Sequence, residues 1–340
     1  MSDAPRPYIG GQAVIEGVMM RAPSSLCVAV RRPDGSIAVR EGPLRAKLLH
    51  SRIGKLPGLR GMVMLVESIA LGYDALRFSA EQQMTDEERK QARESGSAVW
   101  LPLVFALGLF MLLPQGLATG LARLLGADWD LASPTFHAVI GGFKLLIFTL
   151  YVSLISLVPD VRRVFQYHGA EHKTIFAYEA GLPLTLENVR SQSRLHPRCG
   201  TTFLVVVIAV SIVLGASVTP LLLPNVKGTL GWVLTFLLRV SLLPLIAAIS
   251  YELQRLSARF CTTGPLRVLL LPGFLFQKIT TREPEDAQLE VAISAMEVAR
   301  VRDEAAPKPN VSEPDRLHVF TSFQGVRDAV QHGLSPAPAE

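Results

Sequence analysis

The fold of this chain is decided first by residues 98–122, AVWLPLVFALGLFMLLPQGLATGLA, a run without any formal charge. About 20 helical residues, each rising about 1.5 Å, are enough to cross a hydrocarbon layer of roughly 30 Å. This run therefore predicts a transmembrane helix. Three later apolar segments have similar lengths, at residues 135–158, 201–226 and 228–251, with His137, Lys144 and Arg239 as their ionisable interruptions. We expect a mainly α-helical polytopic membrane protein with about four transmembrane helices.

Lysine and arginine are distributed unevenly around these segments. Fourteen of the 34 lie before residue 98 and six lie in residues 159–200, whereas residues 119–134 hold only Arg123. Cationic flanks resist translocation, so both termini and the 159–200 loop are expected in the cytosol. The net charge of +5 fits an anionic leaflet, because the basic residues flank apolar spans. Membrane lipids are therefore the expected partners. Nucleic acid is not an expected partner, and the sequence identifies no protein partner.

Four regions follow from these patterns. Residues 1–97 form an N-terminal cytosolic region, with β structure over 8–40 and a helix over 58–78 that is either interfacial or part of a core. Residues 98–251 are the transmembrane domain. Residues 252–303 are expected to form C-terminal interfacial and cytosolic helices. Residues 304–340 are rich in Pro, Ala and charge without a sustained period, which predicts a disordered tail.

The segment His168-Gly-Ala-Glu171-His172 carries the clearest chemical signal. On a helix, residues four apart share a face, so His168 and His172 can direct two imidazole nitrogens to one cation. This HxxEH spacing is the inverted zincin pattern, in which two histidines bind zinc and the glutamate is the general base. The alternative is a solvated helix face on which Glu171 pairs with a nearby cation. The pattern predicts a divalent metal site, with zinc favoured.

A zinc site needs a third protein ligand. Glu252, at the expected cytosolic end of the fourth span, is the candidate that we favour. His196 and Cys199 lie just before the third span at the same membrane face and are alternative ligands or supporting partners. Glu179 continues the helix face that holds the two histidines, and Arg198 is suited to bidentate contact with an anionic group.

Residues 10–21, GGQAVIEGVMMR, combine flexible backbone with one carboxylate and one cation. Glycines in such a segment permit a tight turn or the close approach of a ligand. Glu16 and Arg21 are therefore candidates for a supporting or substrate-binding role. The alternative is a strand with turn glycines, in which these two side chains pair with each other.

The strings GGQAVIEGVMMR, YHGAEHKTI, HPRCGT and ITTREPEDAQLEVAI occur in this order along the chain. In these strings the sequence resembles the YqhQ family of bacterial multipass membrane proteins over roughly residues 8–300. The resemblance implies a location in the bacterial cytoplasmic (inner) membrane. It also implies a kind of protein sometimes described as a predicted metal-dependent enzyme, with no established substrate.

Two functions of different classes follow. The first is a cytosol-facing metal-dependent hydrolase that acts on a lipid headgroup or a membrane-proximal peptide, with Glu171 as the general base. The second is a non-catalytic membrane scaffold or transporter accessory protein, in which the polar clusters clamp helix ends together. Convergence of His168, His172 and a third donor on one point would favour the hydrolase, and separated clusters would favour the scaffold.

Overall fold

The structure is a computed structural model that describes residues 6–45, 56, 58–95, 100–127, 129, 133–224, 228–261, 264–305 and 312–333. In this part of the chain the fold is mainly helical, with an antiparallel sheet formed largely by the N-terminal residues. The helices are α1 (Leu59–Gln83), α2 (Asp86–Ser95), α3 (Trp100–Leu107), α4 (Leu113–Leu124), α5 (Pro134–Ile155), α6 (Pro159–Glu179), α7 (Leu186–Arg190), α8 (Gly200–Leu222), α9 (Gly228–Ser241), α10 (Leu243–Phe260), α11 (Leu271–Thr280), α12 (Asp286–Ala305) and α13 (Phe323–Gln331).

The sheet is a meander of neighbouring antiparallel strands. Its strands, in spatial and chain order, are β1 (Gly10–Val14), β2 (Gly17–Arg21), β3 (Ser25–Arg31), β4 (Ile37–Pro43) and β5 (Arg316–Phe320). Gly35, in the turn before β4, has a φ of 86°, a conformation that glycine adopts without steric cost. The β structure predicted for residues 8–40 is confirmed.

Both faces of this sheet are buried. Because side chains alternate across a strand, β2 directs Val18 and Met20 to one face and Met19 to the other. The first face packs against α6 and α12, and the second packs against Ala75 and Phe78 of α1. This arrangement explains why the strands are apolar at consecutive positions. It also holds α6 rigidly against the sheet.

Helix α1 joins this sheet to the membrane helices. Its Gly61 lies against the backbone of α10, and its exposed side chains include Val66 and Ile69. The helix predicted for residues 58–78 is present, and its packing has features of both expected alternatives. It contributes to a core at one end and presents apolar side chains outward along its middle.

In the part of the chain that the structure describes, three helices are long and apolar enough to cross a membrane: Val104–Leu124, Pro134–Ile155 and Gly200–Leu222. The first contains a π-helical segment at Gly108–Leu112, which ends two residues before Pro114, whose missing N–H disturbs the helical ladder. The expected fourth span is not one straight helix. It consists of α9 and α10, whose axes are bent by 45° at a break before Pro244. Proline is a common cause of such kinks.

Lys144 and Arg239, two basic side chains well inside these segments, have polar neighbours. Arg239 donates to Oε1 of Gln115 at 2.6 Å, and its other terminal nitrogen lies 3.2 Å from Nδ1 of His137. Lys144 donates to the Ser211 hydroxyl at 3.4 Å. Hydrogen bonds of this kind lower the cost of placing a cation at membrane depth. They tie α4, α5, α8 and α9 together.

The expectation that residues 304–340 form a disordered tail is wrong for residues 316–331. Strand β5 pairs with β4, and α13 begins after Ser322, whose hydroxyl accepts a hydrogen bond from the Gly325 N–H. Arg302 pairs with both Glu41 and Glu313, which anchors the segment that leads to β5. Composition alone missed this strand because an edge strand gains its stability from its neighbour. Residues 306–311 and 334–340 lie outside the described residues.

Candidate metal centre

The HxxEH segment lies near the middle of α6, as its spacing predicts. Helix α6 packs on the sheet beside α12, and His172 is only 2% exposed. The helix ends before Gly181, which has a φ of 76° and follows the common pattern of a glycine after a helix C-terminus. The alternative of a solvated helix face therefore does not describe this segment.

Backbone carbonyls hold both histidines in one orientation. Nδ1 of His168 lies 2.9 Å from the Thr280 carbonyl, and Nδ1 of His172 lies 2.5 Å from the Arg194 carbonyl. A carbonyl only accepts, so each Nδ1 carries the proton and each Nε2 has a free lone pair. This tautomer, fixed by a partner on the other ring nitrogen, is typical of metal-binding histidines.

Cys199 supplies a third donor atom. Its Sγ lies 3.3 Å from Nε2 of His168, and one donor atom from each of Cys199, His168 and His172 lies within 4.8 Å of the other two. Zinc bond lengths to sulfur and nitrogen imply a separation of roughly 3.5 Å along a tetrahedral edge. Cys199 also directly precedes the first residue of α8, and its sulfur accepts a hydrogen bond from the Thr201 N–H. Helix dipoles favour negative charge at that end.

Glu171 lies beside these three donors and is only 4% exposed. Its Oε2 is 3.5 Å from Nε2 of His172 and 3.9 Å from Nε2 of His168. Burial raises the pKa of the Glu171 carboxyl, while nearby His168 and His196 act in the opposite direction. A buried carboxyl with a raised pKa next to imidazole nitrogens is suited to proton transfer.

A small cavity of about 100 Å³ adjoins the carboxyl, and its lining includes His168, Glu171, His172 and Cys199. The opposite wall contains Gly11 of β1. A Cβ atom at Gly11 would lie 2.6 Å from Cγ and Oε1 of Glu171. The absence of a side chain at Gly11 therefore leaves room for the Glu171 carboxylate.

His196 is oriented differently from the other two histidines. Its Nδ1 accepts from the Arg198 N–H at 3.3 Å, which leaves the proton on Nε2, 3.6 Å from a carboxylate oxygen of Glu179. Burial lowers the pKa of the His196 imidazole, while Glu171 raises it. Of the two alternatives before the third span, Cys199 is therefore the suitable ligand and His196 is a supporting neighbour.

Glu252, the favoured third ligand, is not brought to this centre. Both of its carboxylate oxygens pair with Arg60, with a distance of 2.6 Å from Nε of Arg60 to Oε1. This pair joins α1 to α10, an arrangement that the sequence could not predict because Arg60 is remote from Glu252 along the chain. Two residues later, Gln254 donates to the Cys199 carbonyl at 3.1 Å. Helix α10 therefore supports the centre through an amide.

The other candidates separate into two groups. Glu179 pairs with Arg198, whose guanidinium lies over the Tyr8 ring at the edge of the centre. Glu16 does not reach the centre or pair with Arg21. It forms the turn after β1 with a φ of 51° and pairs with Arg163, because its hairpin places it at the end opposite to Arg21.

Several features of the centre had no readable signal in the sequence. The carbonyls of Thr280 and Arg194 act through the backbone, which any residue could supply. Gln277 binds the His196 peptide on both sides, accepting from its N–H at 2.7 Å and donating to its carbonyl at 2.8 Å. Gly11 lies in the glycine-containing segment of residues 10–21, but its close approach to Glu171 of α6 is visible only in the structure.

Comparison with known proteins gives a family for this chain. The family described as "Protein of unknown function (DUF1385)" matches residues 56–302. The "Uncharacterized protein YqhQ" of Bacillus subtilis (strain 168) is 35% identical over 311 residues, or 85% of this chain and 91% of that protein. This chain belongs to that family. No solved structure matches the chain.

The family assignment confirms the resemblance seen in the four sequence strings. The part that matches the DUF1385 family contains α6 and Cys199, whereas Gly11 lies before it. Neither the family description nor the name of the relative states an activity. A function therefore has to be argued from the chemistry of the site.

Proposed function

We propose that the protein is a metal-dependent hydrolase of the bacterial inner membrane with a site that faces the cytosol. The observation that carries the proposal is the convergence of three donor atoms, Nε2 of His168, Nε2 of His172 and Sγ of Cys199. Separated clusters, the arrangement expected of a scaffold, are not what these residues form.

The donor set suits zinc better than magnesium or calcium. One thiolate and two imidazoles are typical zinc ligands, whereas the other two ions prefer oxygen. Three protein ligands are also the usual number at a catalytic zinc site. His168, His172 and Cys199 would hold a zinc ion through three protein ligands, and the ion would supply Lewis-acid activation of a carbonyl or phosphoryl oxygen and of water.

Glu171 is the proposed general base. Its carboxylate takes a proton from the attacking water as the water oxygen bonds to the scissile carbon or phosphorus. The same proton can then pass to the leaving group, so that the carboxylate is regenerated. The close contact with Gly11 restricts where the carboxylate can lie, which supports a fixed position relative to the three donors.

The substrate is proposed to be a lipid headgroup or a membrane-proximal peptide. Cys199 lies at the start of α8, one of the three helices long enough to span a membrane. The centre therefore lies near the level at which this helix enters the bilayer. The cytosolic orientation is supported by the excess of Lys and Arg in residues 1–97 and 159–200.

Elemental analysis of the purified protein tests the proposal directly. We expect about one zinc ion per chain in the wild type, loss of metal and turnover in His168→Ala, and retained metal without turnover in Glu171→Gln. Glu171→Gln distinguishes a general base from a metal ligand, because glutamine keeps the size of the side chain but cannot accept the proton.

Absence of stoichiometric metal, together with wild-type behaviour of His168→Ala, would overturn the hydrolase proposal. The scaffold alternative predicts a different pattern for Glu171→Gln. In that case the variant changes thermal stability or partner binding and leaves every hydrolytic assay unaffected.

A further inference from the structure

A second, larger cavity lies next to the metal centre. It has a volume of about 860 Å³ and lies between the open end of the β1–β2 hairpin, α1 and α10. Gly10, Gly11, Arg198 and Gly200 line both this cavity and the small one at Glu171. A molecule bound in the large cavity is therefore adjacent to the three donor atoms.

Four arginines line this cavity: Arg21, Arg198, Arg255 and Arg259. Its described lining contains no aspartate, glutamate or lysine. Planar guanidinium groups that converge without acidic residues are the usual means of binding phosphate or carboxylate groups. The first residue of α8, Gly200, is also part of the wall, where the helix dipole favours an anion.

The positive charge of this cavity is only partly neutralised. Arg198 pairs with Glu179, and Glu67 is near enough to Arg21 to affect its ionisation. Among the described residues no carboxylate forms an ion pair with Arg255 or Arg259, although Glu252 is close enough to Arg255 for an electrostatic interaction and the Arg259 guanidinium lies over the Phe260 ring. These two cations of α10 are therefore available to a ligand.

The surroundings of these two arginines are apolar and exposed. On α10 itself, Leu253, Leu256 and Phe260 are 42%, 52% and 57% exposed. The short 3-10 helix that follows, Pro265–Leu270, adds exposed Leu266 and Val268. Apolar side chains beside arginines are characteristic of the bilayer surface, where the cations meet lipid phosphates.

We propose that the large cavity binds the phosphate group of an anionic lipid headgroup through Arg255 and Arg259, and so presents that lipid to the metal centre. This inference rests on the proposed hydrolase function for what happens after binding. The binding itself depends only on the guanidinium groups. It selects the lipid headgroup over the membrane-proximal peptide as the substrate class.

The test measures lipid binding to the full-length protein in detergent, by native mass spectrometry. The ligands are phosphatidic acid, phosphatidylcholine with the same acyl chains, soluble glycerol 3-phosphate and an acidic decapeptide. We expect the wild type to bind phosphatidic acid at least tenfold more tightly than the other three, because it alone combines acyl chains with a headgroup of net negative charge.

The variants separate the cavity from general surface charge. Arg255→Gln with Arg259→Gln is expected to weaken phosphatidic acid binding at least tenfold. Arg267→Gln is the matched control, since Arg267 lies on the exposed 3-10 helix outside the cavity lining, and it should change binding less than twofold. Lysine at positions 255 and 259 should restore part of the affinity.

The inference is overturned if the double variant binds phosphatidic acid as the wild type does, if Arg267→Gln has the same effect, or if the peptide or glycerol 3-phosphate binds as tightly. Metal analysis keeps the two proposals separate. Arginine-dependent lipid binding in a protein without metal would support this inference and remove the hydrolase. Stoichiometric metal with turnover but no arginine dependence would do the reverse.

Discussion

Cys199 has two physical roles at one position. Its sulfur lies 3.3 Å from Nε2 of His168, and it also accepts from the Thr201 N–H at the start of α8. A substitution therefore risks confusing loss of a ligand with loss of a helix cap. Substitution by serine separates these two effects, because the serine oxygen can still cap the helix but is a much poorer zinc ligand than a thiolate.

At the residue scale we predict that Cys199→Ser lowers zinc affinity more than roughly 100-fold, beyond the 10–100-fold typical when a residue supporting a ligand is lost. Glu252→Gln is the matched control: it removes the pair with Arg60, lowers the free energy of unfolding only slightly because the pair is solvent-screened, and keeps full metal content. Chelator competition measures the first effect and thermal unfolding the second. Metal loss in the control alone would restore Glu252 as the ligand.

At the scale of elements, the approach of β1 to α6 shapes the position of Glu171. Gly11 faces the carboxylate so closely that a Cβ would lie 2.6 Å from Oε1. At the neighbouring Gly10, a Cβ would meet only Tyr8 ring atoms at 3.6 Å, an ordinary contact distance. Two adjacent glycines of one strand therefore have different tolerances for alanine.

We predict that Gly11→Ala displaces the Glu171 carboxylate and lowers turnover on the order of a hundredfold, the usual effect of moving a catalytic group by about 1 Å. The overpacking should also cost about 1–3 kcal/mol of unfolding free energy. Gly10→Ala should retain turnover within about twofold. Kinetics and metal analysis on both variants check this, and equal activity of the two would mean that the strand does not position the base.

At the scale of the whole molecule, the sheet, α6 and α12 share one apolar core and so lie on the same side of any membrane that the protein spans. The C-terminal end of α4 and the C-terminal end of α8 are the ends of these long helices that lie away from the sheet. The site and the N-terminal sheet therefore share one compartment. The distribution of Lys and Arg predicts that this side is the cytosol.

Labelling of intact cells with a membrane-impermeant maleimide tests this orientation. We predict that cysteines introduced at Leu125 and Pro224 react from outside, whereas one introduced at Glu187 reacts only after permeabilisation. The wild-type cysteines Cys27, Cys199 and Cys261 are buried and provide the background. Reaction of the Glu187 position in intact cells would place the site in the periplasm.

Much of the fold was predictable because its signals are local. The apolar runs, the alternation within residues 8–40 and the helical spacing of the HxxEH segment each reflect neighbours along the chain. The break before Pro244 and the π-helical segment before Pro114 are local as well, but the uncharged runs concealed them. Strand β5 was missed because its pairing with β4 depends on residues some 280 positions away.

The sequence by itself determined the membrane character, the family and the two histidines with their glutamate, since composition and a spacing of four residues suffice for these. Only the tertiary structure showed that Cys199, and not Glu252, lies beside the two histidines, and revealed the adjacent cavity lined by arginines. The physical reason is distance along the chain. Cys199 contacts His168 across 31 residues, and Glu252 pairs with Arg60 across 192, so each partner depends on how remote helices pack.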